Sequence, residues 1–151
     1  MINLILAFWI TNIINKKKEE DRVVKNLIND CIKNIIPQID FVETQVKTKS
    51  MNWIQATSEI KKINISIKRV FELLTYYKLK LYEFKYDDLS SLISELKDLM
   101  TKTPMLTNSI PNIKVNNGII TYTENQVILI EQKTDELKCN LFKLQLEINI
   151  L

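Results

Sequence analysis

The chain has 151 residues, 46% apolar and 26% charged, with a net charge of +3; these proportions suit one globular domain, and the positive balance is weak for a dedicated nucleic-acid binder. It contains no histidine and a single glycine, Gly118, which excludes Ser-His, Cys-His and zinc-His chemistry, the P-loop and the dinucleotide fingerprint, and disfavours all-β and doubly wound folds. Ile, Asn and Lys together account for 58 residues against two Arg and two Ala, a bias toward A/T-rich codons that points to an A/T-rich genome.

The opening stretch, MINLILAFWITNIINKKKEED, sets an apolar run against a dense block of charge. No Lys or Arg precedes the run and no small-residue cleavage pattern follows it, so it does not read as a secretory signal. Residues 2–14 would span about 20 Å as a helix, short of the ~30 Å of a hydrocarbon core. Asn3, Ala7, Thr11 and Asn15 form one small, polar stripe, while Ile2, Ile5, Leu6, Trp9, Ile10 and Ile13 cover the rest. The expectation is a helix buried in protein, with Trp9 packed against this chain or a second copy of it. A membrane anchor flanked by Lys16–Lys18 is the alternative. Val24, Leu27, Ile28, Cys31, Ile32 and Ile35 continue the apolar stripe, and Ile36-Pro37 interrupts it, which places the first helix over residues 2–35.

Beyond Pro37 the spacing becomes regular. Ile39, Val42, Val46, Lys49, Trp53, Ala56, Ile60, Ile63, Ile67, Val70, Leu74, Tyr77, Leu81 and Phe84 alternate intervals of three and four, and only Lys49 is not apolar. This predicts a long bundle or coiled-coil helix, with Asp40 and Glu43 as a candidate cap and a break near residues 48–50, because an unbroken helix would be roughly 70 Å long. Phe71, Leu73, Tyr76, Leu79, Tyr82 and Tyr86 lie off that seam and call for several helices around its later half.

A shorter helix follows, with Asp87 as its expected cap and Leu89, Leu92, Leu96 and Leu99 on one face. Residues 101–112 hold two prolines and read as a loop. Asn117-Gly118, between β-branched residues, predicts a hairpin. Thr123 and Gln126 fit a capping box with Tyr122 and Val127 as its staple. From there Val127, Ile130, Thr134, Leu137, Leu141, Leu144, Ile148 and Leu151 repeat at helical spacing.

The sequence thus predicts an all-α fold: an elongated bundle or coiled coil of about four helices with one small β-hairpin near residues 113–122. It reads as one domain over 1–151, with residues 1–36 as first helix and candidate anchor and 37–151 as the bundle. Asp87, Asp88, Glu95 and Asp98 read as a cap and a solvated face rather than a metal site or an acid/base pair. Over residues 37–86, Lys61-Lys62, Lys68-Arg69 and the lysines among aromatics in YYKLKLYEFKY resemble a strand-binding surface, but core packing accounts for those aromatics better. Cys31 and Cys139 stand alone, which suits a reducing compartment.

The expected function is that of a non-enzymatic, cytoplasmic interaction or assembly protein that self-associates and binds another protein, with no cofactor. The expected contact residues are Trp9 and a seam of Leu137, Leu141, Leu144 and Ile148, whose apolar surface a chain this short is not expected to cover. The alternatives are a scaffold tethered to the cytoplasmic face of a membrane by residues 2–14, and a phage- or plasmid-type inhibitor of a host protein.

Overall fold

A computed structural model describes residues 2–48, 50–101, 114–116 and 119–151, with the side chains of α1 described from Trp9 onward. Five helices, α1 (Ile2–Lys33), α2 (Ile36–Lys47), α3 (Trp53–Tyr76), α4 (Tyr86–Thr101) and α5 (Glu124–Ile150), dominate it, with strands β1 (Lys114–Asn116) and β2 (Ile119–Thr121) between the last two. The all-α bundle expected from the heptad spacing is the fold.

Helices α1 and α2 form one rod bent at Asn34–Ile35. Pro37 falls in the first turn of α2, where its missing N–H costs no helical hydrogen bond. Cross-helix contacts fix the direction of the other rods. On α5, Glu131 meets Lys47, Lys138 meets Glu43, and Asn149 meets Asn29, so α5 runs antiparallel to the α1–α2 rod. Gln38 reaches Ser66, and a groove brings Val24 beside Tyr77, so α3 is also antiparallel to that rod. Trp53 with Thr101 and Asn64 with Tyr86 set α4 antiparallel to α3. The result is an up-down-up-down bundle of four rods.

One apolar core runs through it: Ile28, Ile32 and Ile35 from the first rod's near half, Ile39, Val42 and Val46 from α2, Ile60, Ile63, Ile67 and Val70 from α3, Leu89 and Leu96 from α4, and Ile130, Leu137, Leu141 and Leu144 from α5 are all buried. Most of the long seam read from the sequence is therefore core.

The long seam does divide, between Lys47 and Trp53. Thr48 closes α2, and Asn52 opens α3 by accepting a 2.7 Å hydrogen bond from the Gln55 N–H. Between them Met51 is fully buried, and its carbonyl accepts the Ile120 N–H at 2.9 Å. The connection thus joins the edge of the small hairpin, which pairs Val115 with Ile120 and Asn116 with Ile119. Thr101, the first residue of the expected loop over 101–112, ends α4; the rest of that loop, Lys49 and the expected Asn117-Gly118 turn lie outside the described residues. Trp53 is half exposed rather than core, its indole N–H donating to the Thr101 carbonyl at 3.2 Å.

The seam also ends sooner than expected. Helix α3 stops at Tyr76 in a Schellman motif: the Lys78 N–H bonds to the Thr75 carbonyl and the Leu79 N–H to the Leu74 carbonyl, with Lys78 at φ 57°. Leu81 and Phe84 pack on the core from a non-helical segment. Glu147 of α5 fastens that segment by accepting the backbone N–H groups of Tyr82 and Glu83. Two expected caps also take other positions. Asp87 falls inside the first turn of α4, and Asp40 and Glu43 lie within α2. The capping box of α5 is present as expected, with Thr123 and Gln126 bonded reciprocally.

Candidate functional site

The expected contact seam on α5 is inside the molecule. Leu137, Leu141, Leu144 and Ile148 are each no more than 1% exposed, because α5 packs against α1, α2 and α4 together. The expectation that one chain would leave them uncovered is corrected: folding back into a closed bundle covers them. Thr134, the one polar member, is also buried, its hydroxyl donating to the Glu131 carbonyl at 2.8 Å.

Trp9 shows the converse. It is 66% exposed, and Ile10, Ile13 and Ile14 beside it are about half exposed. Every residue from Trp9 to Val23 is exposed, and packing begins only at Val24. Of the two forms of the expectation, packing against this chain or against a second copy, the first is corrected from Trp9 onward. The cause is length: α1 has 32 residues, roughly 48 Å, and its neighbours α3 and α5 flank only its second half. Ile10 and Ile14 precede Ile28 and Ile32 by eighteen residues, five full helical turns, so they continue the core stripe past the end of the bundle. That surviving phase made them look like core in the sequence. Val23 and Leu27, on the flank of α1, are exposed as well. Sequence reading missed them as surface residues, because spacing gives the face of a helix but not which neighbours cover it.

Polar contacts fix the root of this arm. The Asn29 side-chain amide donates to Asn149 Oδ1 at 2.7 Å, and the Gln145 amide donates to the Asn29 carbonyl at 3.2 Å. Further along the rod, Lys138 of α5 sits between Asp40 (2.8 Å) and Glu43 (2.7 Å) of α2, while Lys47 bridges Glu43 (2.8 Å) and Glu131 (3.4 Å). Burial pushes the Glu43 carboxyl up, but the hydrogen bonds and charges of Lys138 and Lys47 outweigh it and hold the group below its ordinary value. Burial likewise works against the Lys138 ammonium, and Asp40 and Glu43 overcome it, raising that group above the usual lysine range. This is a clamp between helices, in which each charge faces its opposite.

The acidic residues of α4 are dispersed. Asp87 and Asp88 lie in its first turn, and Glu95 is 2.8 Å from Lys133. Tyr122, buried, has its hydroxyl raised by desolvation and donating to the Met100 carbonyl at 3.2 Å, which ties α4 to the start of α5. Among the described residues no helix is long and apolar enough to cross a membrane. Fold and surface together define the class: an up-down-up-down helical bundle carrying a projecting apolar helical arm. No family model matches the chain, and neither does any curated protein or solved structure compared with it.

Proposed function

We propose that the protein is a non-enzymatic interaction or assembly protein whose working surface is the projecting half of α1. The observation that carries this reading is the row Trp9, Ile10, Ile13 and Ile14: four large apolar side chains exposed together on a helix whose bundle is already closed without them. Contiguous exposed apolar surface of this kind marks contact sites, and aromatic anchors dominate such contacts. Two unpaired cysteines suit action in a reducing compartment such as the cytoplasm.

Light scattering with and without detergent tests the reading. The full chain should exceed its 17.8 kDa monomer mass in plain buffer. Trp9→Ser with Ile13→Ser should abolish that excess and leave the melting temperature equal to that of the native chain diluted until it is monomeric. A variant that still associates would place the contact elsewhere, and one that melts early would make the arm part of the core. The same row followed by Lys16–Lys18 also suits a helix lying on an anionic lipid surface; association only with detergent or vesicles would favour that second reading.

A further inference from the structure

The arm carries a second stripe, distinct from the one in phase with the core. Trp9, Ile13, Lys16, Glu20, Val23 and Leu27 follow intervals of four, three, four, three and four, and all six are exposed. At about 100° per residue, Leu27 stands roughly a quarter turn from the core residue Ile28. The stripe therefore runs down the flank of α1, from the projecting half onto the part that packs in the bundle.

Its order is self-complementary. Read from either end it is apolar, apolar, charged, charged, apolar, apolar, and the two central charges are opposite. We infer that a second copy of this chain docks here, its α1 antiparallel to the first about a two-fold axis level with Lys18. That alignment sets Trp9 against the partner's Leu27, Ile13 against the partner's Val23, and Lys16 against the partner's Glu20, each contact occurring twice. A 3,4 seam with opposite charges at facing positions is how helices specify register and orientation. A parallel alignment would set Lys16 against Lys16 and Glu20 against Glu20, so the charges select the antiparallel form.

The flank has room for the partner helix. An open groove of about 630 Å3 lies beside its middle, lined by Lys16, Glu19, Glu20, Asp21, Val23 and Val24 of α1 and by Tyr77. In the antiparallel pair the projecting half of each arm lies along the rooted half of the other, so the two bundles sit at opposite ends of the paired helices. The two-fold makes the interface closed, giving a dimer rather than a filament.

This inference rests on the arm being an interaction surface, and the test separates the two. Full-length Lys16→Glu and Glu20→Lys variants are compared with the native chain by sedimentation over a wide concentration range, each alone and then mixed in equal amounts. Each alone should dissociate at least tenfold more readily, because every facing pair becomes like-charged. The mixture should recover the native affinity, since both pairs of the heterodimer are then opposite in sign; a change within one chain cannot produce that recovery. Single variants that dimerise like the native chain, or a mixture that fails to recover, would overturn the antiparallel register. If Trp9→Ser with Ile13→Ser still abolished association in that case, the arm would remain a contact surface and only the register would fall. A native chain that stays monomeric at all concentrations yet binds anionic vesicles would also overturn the inference, and would assign the face to lipid.

Discussion

Ile67 lies near the middle of α3 and is fully buried, while its neighbour Lys68 keeps most of its side chain in water, 3.8 Å from Glu72. Ile67→Ala removes three carbon atoms, worth about 0.8 kcal/mol each in lost transfer free energy. The surrounding helices are held by buried side chains on every rod and can collapse only partly, so a residual cavity adds roughly another 1 kcal/mol. The expected loss is about 3–4 kcal/mol, a fall in melting temperature on the order of 10 °C for a chain of this size. Lys68→Ala should change stability by less than about 0.5 kcal/mol, since it loses only an exposed i,i+4 pair. Thermal and urea unfolding followed by circular dichroism measure both. Were Ile67→Ala as mild as Lys68→Ala, α3 would be rotated from the orientation described and the core assignment would fail.

The clamp between α2 and α5 predicts a pH signature. Glu43 is lowered from 4.5 in the folded chain, so its contribution is present above that value and lost as pH falls through its folded pKa. Lys138 is raised from 10.5, so its contribution is present below that value and lost as pH rises through the higher folded one. Stability from the clamp should be level between about pH 5 and 10, and Lys138→Met should cost about 1–2 kcal/mol there, less than a fully buried pair because the site is open at its edge. Urea unfolding across pH checks it; an equal acid loss in Lys138→Met and the native chain would assign that loss to other carboxylates. Lys78→Gly should stabilise by up to about 1 kcal/mol, because φ 57° strains any residue with a Cβ. A destabilised Lys78→Gly chain would place Lys78 outside the left-handed region.

The sequence made much of this architecture legible and hid the parts that depend on tertiary context. The α5 capping box was readable because Thr123 and Gln126 bond within one turn. The core faces of α2, α3 and α5 were readable because apolar spacing reports which side of a helix is buried. The end of α3 was not readable at Lys78, since a left-handed cap is ordinarily announced by Gly or Asn and this chain spends its one glycine elsewhere. The break at Met51 was only faintly signalled by Lys49 and Ser50, because what holds it is a backbone bond to Ile120, about seventy residues away. The Leu137–Ile148 seam, expected at a contact, is core, and Trp9, expected to pack against this chain or a second copy, meets solvent within the single chain; periodicity marks an apolar face, and only the bundle's dimensions decide whether protein or solvent meets it.

Among the described residues the buried core begins at Ile28, and we propose that the apolar residues at the opening of α1 serve contacts made outside the fold. Removing residues 1–15 tests it most directly, with thermal unfolding and sedimentation measured on the same sample. The truncated chain should be a soluble monomer that unfolds cooperatively within a few degrees of the full chain, its mass independent of concentration. An aggregated product, or one that loses cooperative unfolding, would return Trp9 and its neighbours to the core.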